Sequence, residues 1–342
     1  MTEDNRLENT RELALRLALE EENKRKTDAV ETHERSIILV GSKGVGKTTM
    51  VYRFLDKDET PKPTIAVDYS FGRKAGKSLV KDVVHVWEVG HLSSSLISAA
   101  MTGSALTHSP HHVTIMIMLD LSKPEAIWSS LEESLSVIRS AIKMSYDDRI
   151  MEEMKDKRTK ERRRDTEKGV DPFPMKLCIV GGKYDEFKEF DPVKKGLIGR
   201  VLRAAAHALG AGLHFHSSKD STLVRRTKDL LSYYGFGSQS LKGSCTDYEK
   251  PLMILAGSDS FMDIELEMPG RNLNFEGIKQ IFTSRFPQGS KEEIKLEDPA
   301  NHPSFNEPII DRLRTQREEE ISILLNELLE GRTEKIPISD PF

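Results

Sequence analysis

The sequence predicts an α/β protein built on a doubly wound, mostly parallel sheet. Three observations carry that prediction. Short apolar runs alternate with segments of helical period. The run "VTIMIMLDLS" (113–122) is apolar without alternation, as a central strand covered on both faces must be. The stretch "GSKGVGKTT" (41–49) stands between the apolar "SIILV" and the helical "MVYRFL", giving strand, glycine loop and helix in succession.

The elements follow in order. "SIILV" is a buried strand, and "KTTMVYRFL" is a helix that starts inside the loop. "TIAVDYSFG" and "DVVHVWEVG" alternate well enough to form a strand pair. "KPEAIWSSLEESLSVIRSAIK" puts Ile127, Leu131, Leu135 and Ile138 on one helical face. "MKLCIVGGKYD" (175–185) is a buried strand running into a loop. "DPVKKGLIGRVLRAAAHALG" is a helix, opened by Pro192 and stopped by Gly210. "AGLHFHSSKD" is a last core strand, "STLVRRTKDLLSYYGFG" a last helix, and "KPLMILAGSDSF" adds an edge strand.

These elements divide the chain. Residues 1–34 are a charged leader, with a surface helix expected over about Asn9 to Lys26. Residues 35–262 are the phosphate-loop domain. A charged insertion at about 144–172 interrupts it, with eight basic and six acidic residues between Glu152 and Lys168. Mixed charge without apolar content cannot build a core, so this is expected to be a solvated helix or loop. Residues 263–306 read as an extended tail. Residues 307–332 are an amphipathic helix, with Ile310, Leu313, Ile321, Leu324, Leu325 and Leu328 as its stripe and Gly331 as its stop. The stripe either packs back on the domain or binds another protein, and the long tail before it favours a partner.

The bulk numbers bound the function. The 342 residues carry a net charge of −4, which argues against general affinity for nucleic acid. Cys178 and Cys245 are far apart and lack metal spacing, which suits a reducing compartment. No apolar run is long enough to span a membrane, and the start "MTEDNRLENTRELAL" is not a signal peptide. The expectation is a soluble cytosolic protein. His108, His111 and His112 read as loop histidines, and His214 and His216 as a packed pair on one strand face.

Gly41, Ser42, Lys43, Gly44, Val45, Gly46, Lys47, Thr48 and Thr49 form the candidate nucleotide loop. Its glycines let the backbone wrap a phosphate with N–H groups turned inward. The following helix aims its N-terminal dipole at the same anion. Lys47 bridges terminal phosphates as a point charge, and Thr48 offers a hydroxyl to Mg²⁺.

The later motifs resemble those of the small GTPases, so the expected fold is a Ras-like P-loop G domain with helical N- and C-terminal extensions. Thr64, 17 residues after Lys47, resembles the first-switch threonine. Lys183 and Asp185 in "GGKYD" stand in the N-K-x-D frame, with Gly182 in place of Asn. Ser217, Ser218 and Lys219 in "HSSKD" resemble S-A-K. In that frame the Asp185 carboxylate reads the guanine edge, and the lysine stems cover the base. Gly90 is the glycine of D-x-x-G, which puts Trp87 where an aspartate supports Mg²⁺, with Glu88 one residue off. His91 stands where an active GTPase has its water-orienting glutamine. The expectation is a nucleotide-stabilised or vestigial G domain, with GDP or GTP and Mg²⁺ as its ligands where it binds, and with the hydrolytic parts degraded.

Together "GSKGVGKTT", "LDKDETPKPTIAVDYSFGRKA", "VHVWEVG", "MLDLSKPEAIW", "DPFPMKLCIVGGKYDEF" and "KPLMILAGSDSF" resemble the light intermediate chain family of cytoplasmic dynein 2, the ciliary retrograde-transport motor. The resemblance runs from about Ser36 to Phe261. It implies a non-catalytic motor subunit whose partners are the dynein 2 heavy chain, other subunits and intraflagellar-transport trains. It implies a place in cytoplasm, basal body and axoneme. A working GTPase switch in ciliary or vesicle traffic is the alternative. A kinase or transport ATPase fits less well, because no acidic residue ends 83–89 in a normal Walker B arrangement.

Overall fold

The computed structural model describes residues 33–75, 81–105, 110–161, 169–238, 241, 243–266, 274–289, 303 and 306–330. The predicted leader helix over 9–26 lies outside the described residues, as does His108.

Strand β1 (Glu34–Gly41) leads through the glycine loop into helix α1 (Lys47–Phe54). Strands β2 (Val67–Ala75) and β3 (Lys81–Val89) form the predicted pair, and it is antiparallel. Then come α2 (Ser94–Ala105), a 3₁₀ turn at Pro110–His112, β4 (Val113–Asp120), α3 (Pro124–Ser145) and α4 (Asp148–Glu161). Strand β5 (Lys176–Gly182), the single turn α5 (Tyr184–Phe187), α6 (Pro192–Ala208), β6 (Gly212–Phe215) and α7 (Ser221–Phe236) complete the alternation. The edge strand β7 (Met253–Ile254), the turn α8 (Phe261–Ile264) and α9 (Phe275–Arg285) follow.

The sheet order is β2-β3-β1-β4-β5-β6-β7. The five strands from β3 to β6 are parallel, and β2 and β7 flank them antiparallel. Both sheet faces are covered. Ile38, Val40, Ile115, Ile117 and Leu177 face one apolar layer with α2, α3, α6 and α9. Ile37, Leu39, Val84, Val86 and Met116 face the other, with α1 and α7. From β1 the chain goes first to β3 on one side and later to β4 on the other. A ligand cleft is expected outside the carboxyl ends of such strands, at this point of reversal. The glycine loop lies there.

Helix α6 begins as predicted, with Asp191 accepting from the Val193 and Lys194 amides and Pro192 in the first turn. Asp220 caps α7 in the same way. His214 Nε2 and His216 Nδ1 both reach Thr227 Oγ1, at 2.9 and 2.7 Å. Thr227 gives its own proton to the Leu223 carbonyl, so both histidines must donate to it. Burial pushes His214 down to about 3 and His216 down to about 4, so both stay neutral. The pair is packing, as the alternation implied.

Two expectations are corrected. The charged insertion is a helix over Asp148–Glu161, but it is not wholly solvated. Met154 is buried in the core, and Arg158 Nη2 donates to the Gly210 carbonyl at 3.0 Å. Residues 263–306 are not simply an extended tail, because 274–289 belongs to the domain. Ile278 and Phe282 of α9 are fully buried, and Phe275 and Phe282 pack on Trp128 of α3 at 5.0 and 6.0 Å. Gln288 Oε1 accepts from the Trp128 and Ser129 amides. The segment before α9 is tied down as well. Arg203 of α6 makes a two-pronged ion pair with Asp259, at 2.6 and 2.8 Å, and reaches the Tyr248 hydroxyl.

The chain divides after Ser290 into two compact units. The second contains α10 (Pro308–Leu329), the predicted amphipathic helix. No residue of α10 is buried, and Ile310, Leu313, Ile321, Leu324, Leu325 and Leu328 are each 43–61% exposed. Along it Arg314 pairs with Glu318 and Arg317 with Glu320, at surface spacings that add a few tenths of a kcal/mol each.

A chain ending at 289 should keep the melting temperature of the whole, and one ending at 262 should not. Phe282→Ala in the full chain should cost about 3–5 kcal/mol in denaturant unfolding, the usual loss for a buried aromatic.

Candidate nucleotide site

The loop is set up by close backbone packing. Gly41 has φ 147°, and a Cβ there would stand 2.3 Å from the Met118 carbonyl oxygen of β4. Only glycine lets β1 turn at this point. Gly44 and Gly46 follow in left-handed conformations, and Gly46 leads directly into α1. Lys43 and Gly44 form the exposed tip, while Val45 is buried and Thr49 half-buried. Ser42 Oγ reaches Ser130 of α3 at 3.3 Å.

Lys47 is buried, and its Nζ donates to the Gly41 and Ser42 carbonyls at 2.8 and 2.9 Å. The side chain therefore arches over the loop with its charge already positioned. Burial lowers its pKa to about 8, against the opposing pull of Glu88.

Glu88 is one residue off the aspartate position in sequence, yet it lies within reach of the loop. Thr48 Oγ1 donates to Glu88 Oε1 at 2.6 Å. Along β3 the residues Val84, Val86 and Glu88 share the face turned toward α1, and all three are buried. Trp87 points the opposite way, where its ring crowds Gly103 of α2 and meets Tyr69 at 4.7 Å. The signal lay in the period-2 alternation of the strand, which the four-residue motif does not track.

The segment with Thr64 closes over the same place. A Cβ on Gly90 would stand 2.1 Å from the Thr64 carbonyl oxygen, and the Gly90 amide donates to Ala66 at 2.8 Å. Burial raises the Glu88 carboxyl, and Thr48, Lys47 and Thr64 oppose that rise. Thr64 and Gly90 are thus brought together beside the loop.

On the far side of the loop, β5 ends at Gly182. A Cβ there would meet Met118 Cε at 2.9 Å and the Val45 carbonyl at 3.1 Å. The strand end and the loop approach closely, so an asparagine there would require the Met118 methyl to swing aside and Val45 to yield by a few tenths of an ångström. Lys183 adopts φ 56° and pairs with Asp120 at 2.7 Å. Sequence reasoning did not single out Asp120, the last residue of β4. Asp185 receives Ser217 Oγ at 2.7 Å on one oxygen and Lys219 Nζ at 2.6 Å on the other. Burial would raise its pKa, but the bonds from Lys219 and Ser217 win and hold it below the usual range. Ser218 is exposed beside them. The His216 amide donates to Gly181, and the Tyr184 amide to His216, which ties the two base-side loops together. All the predicted residues lie along the carboxyl ends of β1, β3, β5 and β6.

The architecture is that of a Ras-like G-domain fold. A crystal structure of the dynein light intermediate chain's conserved domain matches with a TM-score of 0.56 and 16% identity, covering 79% of this chain and 93% of that one. No family model matches. Cytoplasmic dynein 2 light intermediate chain 1 of Danio rerio is 36% identical over 321 residues, 88% of each chain. Those of Mus musculus and Homo sapiens are 35% and 34% identical over 314 residues, 86% of this chain and 88% of theirs. The chain belongs to the cytoplasmic dynein 2 light intermediate chain family.

Two predictions follow from the geometry. Gly182→Asn, which restores the small-GTPase motif, should push on Val45 and cost about 1–3 kcal/mol of stability by overpacking. The second concerns pH. Lys47 falls from 10.5 in the unfolded chain to about 8 when folded, so its burial costs stability below pH 8. The unfolded chain binds more protons between those values, so the cost is relieved as pH rises through that window. Relative to Lys47→Met, the nucleotide-free chain should gain on the order of 1 kcal/mol between pH 7 and 9 in urea unfolding.

Proposed function

We propose that the chain is a non-catalytic subunit of the cytoplasmic dynein 2 motor. It binds and stabilises the heavy chain for retrograde intraflagellar transport and cilium assembly. On this reading its partners are the heavy chain, the other dynein 2 subunits and intraflagellar-transport trains, and it works in cytoplasm, basal body and axoneme. The carrying observation is likeness to dynein 2 light intermediate chains over 86–88% of the chain. Among the described residues no helix is long and apolar enough to cross a membrane.

Within that role GDP or GTP is a fixed ligand of the domain, held with Mg²⁺ at Thr48. A ligand that binds only the folded state stabilises it by mass action. The preset Lys47 and the positive-φ glycines Gly41, Gly44 and Gly46 support phosphate binding. Asp185, with Ser217 and Lys219 gathered around it, supports a guanine. His91 in the glutamine position, and the close packing of Gly90 on Thr64, weigh against hydrolysis-driven switching.

Lys47→Ala in the full chain provides the test. Nucleotide released on denaturation and identified by chromatography should fall about tenfold or more, the loss of a charged phosphate contact. Co-purification with the heavy chain should change little. Equal loss of heavy-chain association with an intact fold would mean a switch instead.

A further inference from the structure

Glu88 is 3% exposed and lies at the mouth of the phosphate loop. One of its oxygens takes the Thr48 proton, at 2.6 Å. The other, Oε2, is shut off from solvent and has no partner at normal hydrogen-bond geometry, although the Thr64 side chain also acts on this carboxylate. A buried carboxylate oxygen left open is costly, and such a cost is usually met by a cation or a donor. Lys47 does not close it, because its ammonium is held by the Gly41 and Ser42 carbonyls.

The Thr48 hydroxyl is itself informative. Its single proton is given to Glu88, so its lone pairs are left for a hard cation. Small divalent cations take oxygen ligands and bind through one or two protein groups together with substrate phosphates. A cage of many side chains is not required, and among the described residues no group of three or more His, Cys, Asp or Glu is arranged to hold a metal. The donor set of one hydroxyl, one buried carboxylate and two bound phosphates suits Mg²⁺.

We propose that Glu88, and not a residue at position 87, is the carboxylate that supports a divalent cation at Thr48 when a nucleoside diphosphate or triphosphate fills the loop. The carboxylate has moved one residue along β3. Because strand side chains alternate, position 87 now faces α2, and 88 faces the loop. Glu88 is a positioning residue here. Oε1 orients the Thr48 hydroxyl, and the negative charge favours the cation. The inference rests on the reading of 41–49 as a nucleotide loop.

The experiment uses the full chain stripped of nucleotide and reloaded with a fluorescent GDP analogue, its release followed with excess Mg²⁺ and with EDTA. Wild type should release the analogue about tenfold more slowly with Mg²⁺, equivalent to about 1.4 kcal/mol. Glu88→Gln keeps the shape and an acceptor for Thr48. It should release at the wild-type rate in EDTA and lose most of the Mg²⁺ effect. Trp87→Phe should keep the effect in full. Circular dichroism melting checks the fold, and Glu88→Gln should melt no lower than wild type, since it removes a buried open charge. An undiminished Mg²⁺ effect in Glu88→Gln would overturn the proposal, as would tight GDP binding by wild type without any Mg²⁺ effect. Failure of wild type to bind the analogue in either condition would instead overturn the nucleotide reading on which the proposal stands.

Discussion

The upper end of the sheet depends on how closely β1 and β4 approach at Gly41. With the Met118 carbonyl oxygen 2.3 Å from where a Cβ would be, any other residue would force the strands apart. The register that brings Gly41 beside Met118 also brings Val40 beside Ile117 and Leu39 beside Met116, all buried. A slip of one residue would turn every one of these side chains to the opposite layer. The loop is therefore fixed by the core beneath it. Its shape requires no ligand to form, because the Lys47 ammonium already closes it onto two carbonyls.

The same strand arithmetic explains the departures from the small-GTPase motifs. Gly182 is not merely a lost asparagine. The β5 end lies against Val45 so closely that contact replaces the side-chain bridge. Trp87 is not merely a lost aspartate, because its ring fills the α2 layer while Glu88 takes up the contact with Thr48. In both places a backbone or strand-face change has been matched by a neighbouring residue.

Much of the fold was legible in the sequence because its signals are local. "VTIMIMLDLS" became β4, the glycine loop joined β1 to α1, and Asp191 with Pro192 opened α6. What escaped depends on tertiary context. Helix α9 buries Ile278 and Phe282 against Trp128, but its sequence "FEGIKQIFTSR" carries a glycine and sits among polar, proline-containing stretches. Helix α2, "SSLISAAMTGSA", carries four serines, a threonine and a glycine, which are weak helix formers without packing. In the site, the ordered motifs marked Lys47, Thr48, Lys183, Asp185 and Lys219. Asp120 and the true orientation of Glu88 needed the strand register, which no motif spacing encodes.

The contact between Gly90 and Thr64 bears on what a nucleotide does here. In a switch, the segments around the first threonine and the D-x-x-G glycine must separate and reorder when the terminal phosphate is lost. In this chain they are joined to the sheet. β2 pairs with β3 from Val67–Val89 to Ala75–Lys81, and the Gly90 amide extends that pairing to Ala66. Moving Thr64 away would break the Gly90–Ala66 bond and expose Glu88, whose open oxygen lies beneath. A ligand shifts an equilibrium only by its differential affinity for the two states. Where one arrangement is held by sheet pairing and close backbone packing, the difference between GDP and GTP has little to act on. On the proposed reading, a bound nucleotide then contributes to holding the domain together, which suits a subunit that presents a rigid surface to its partner.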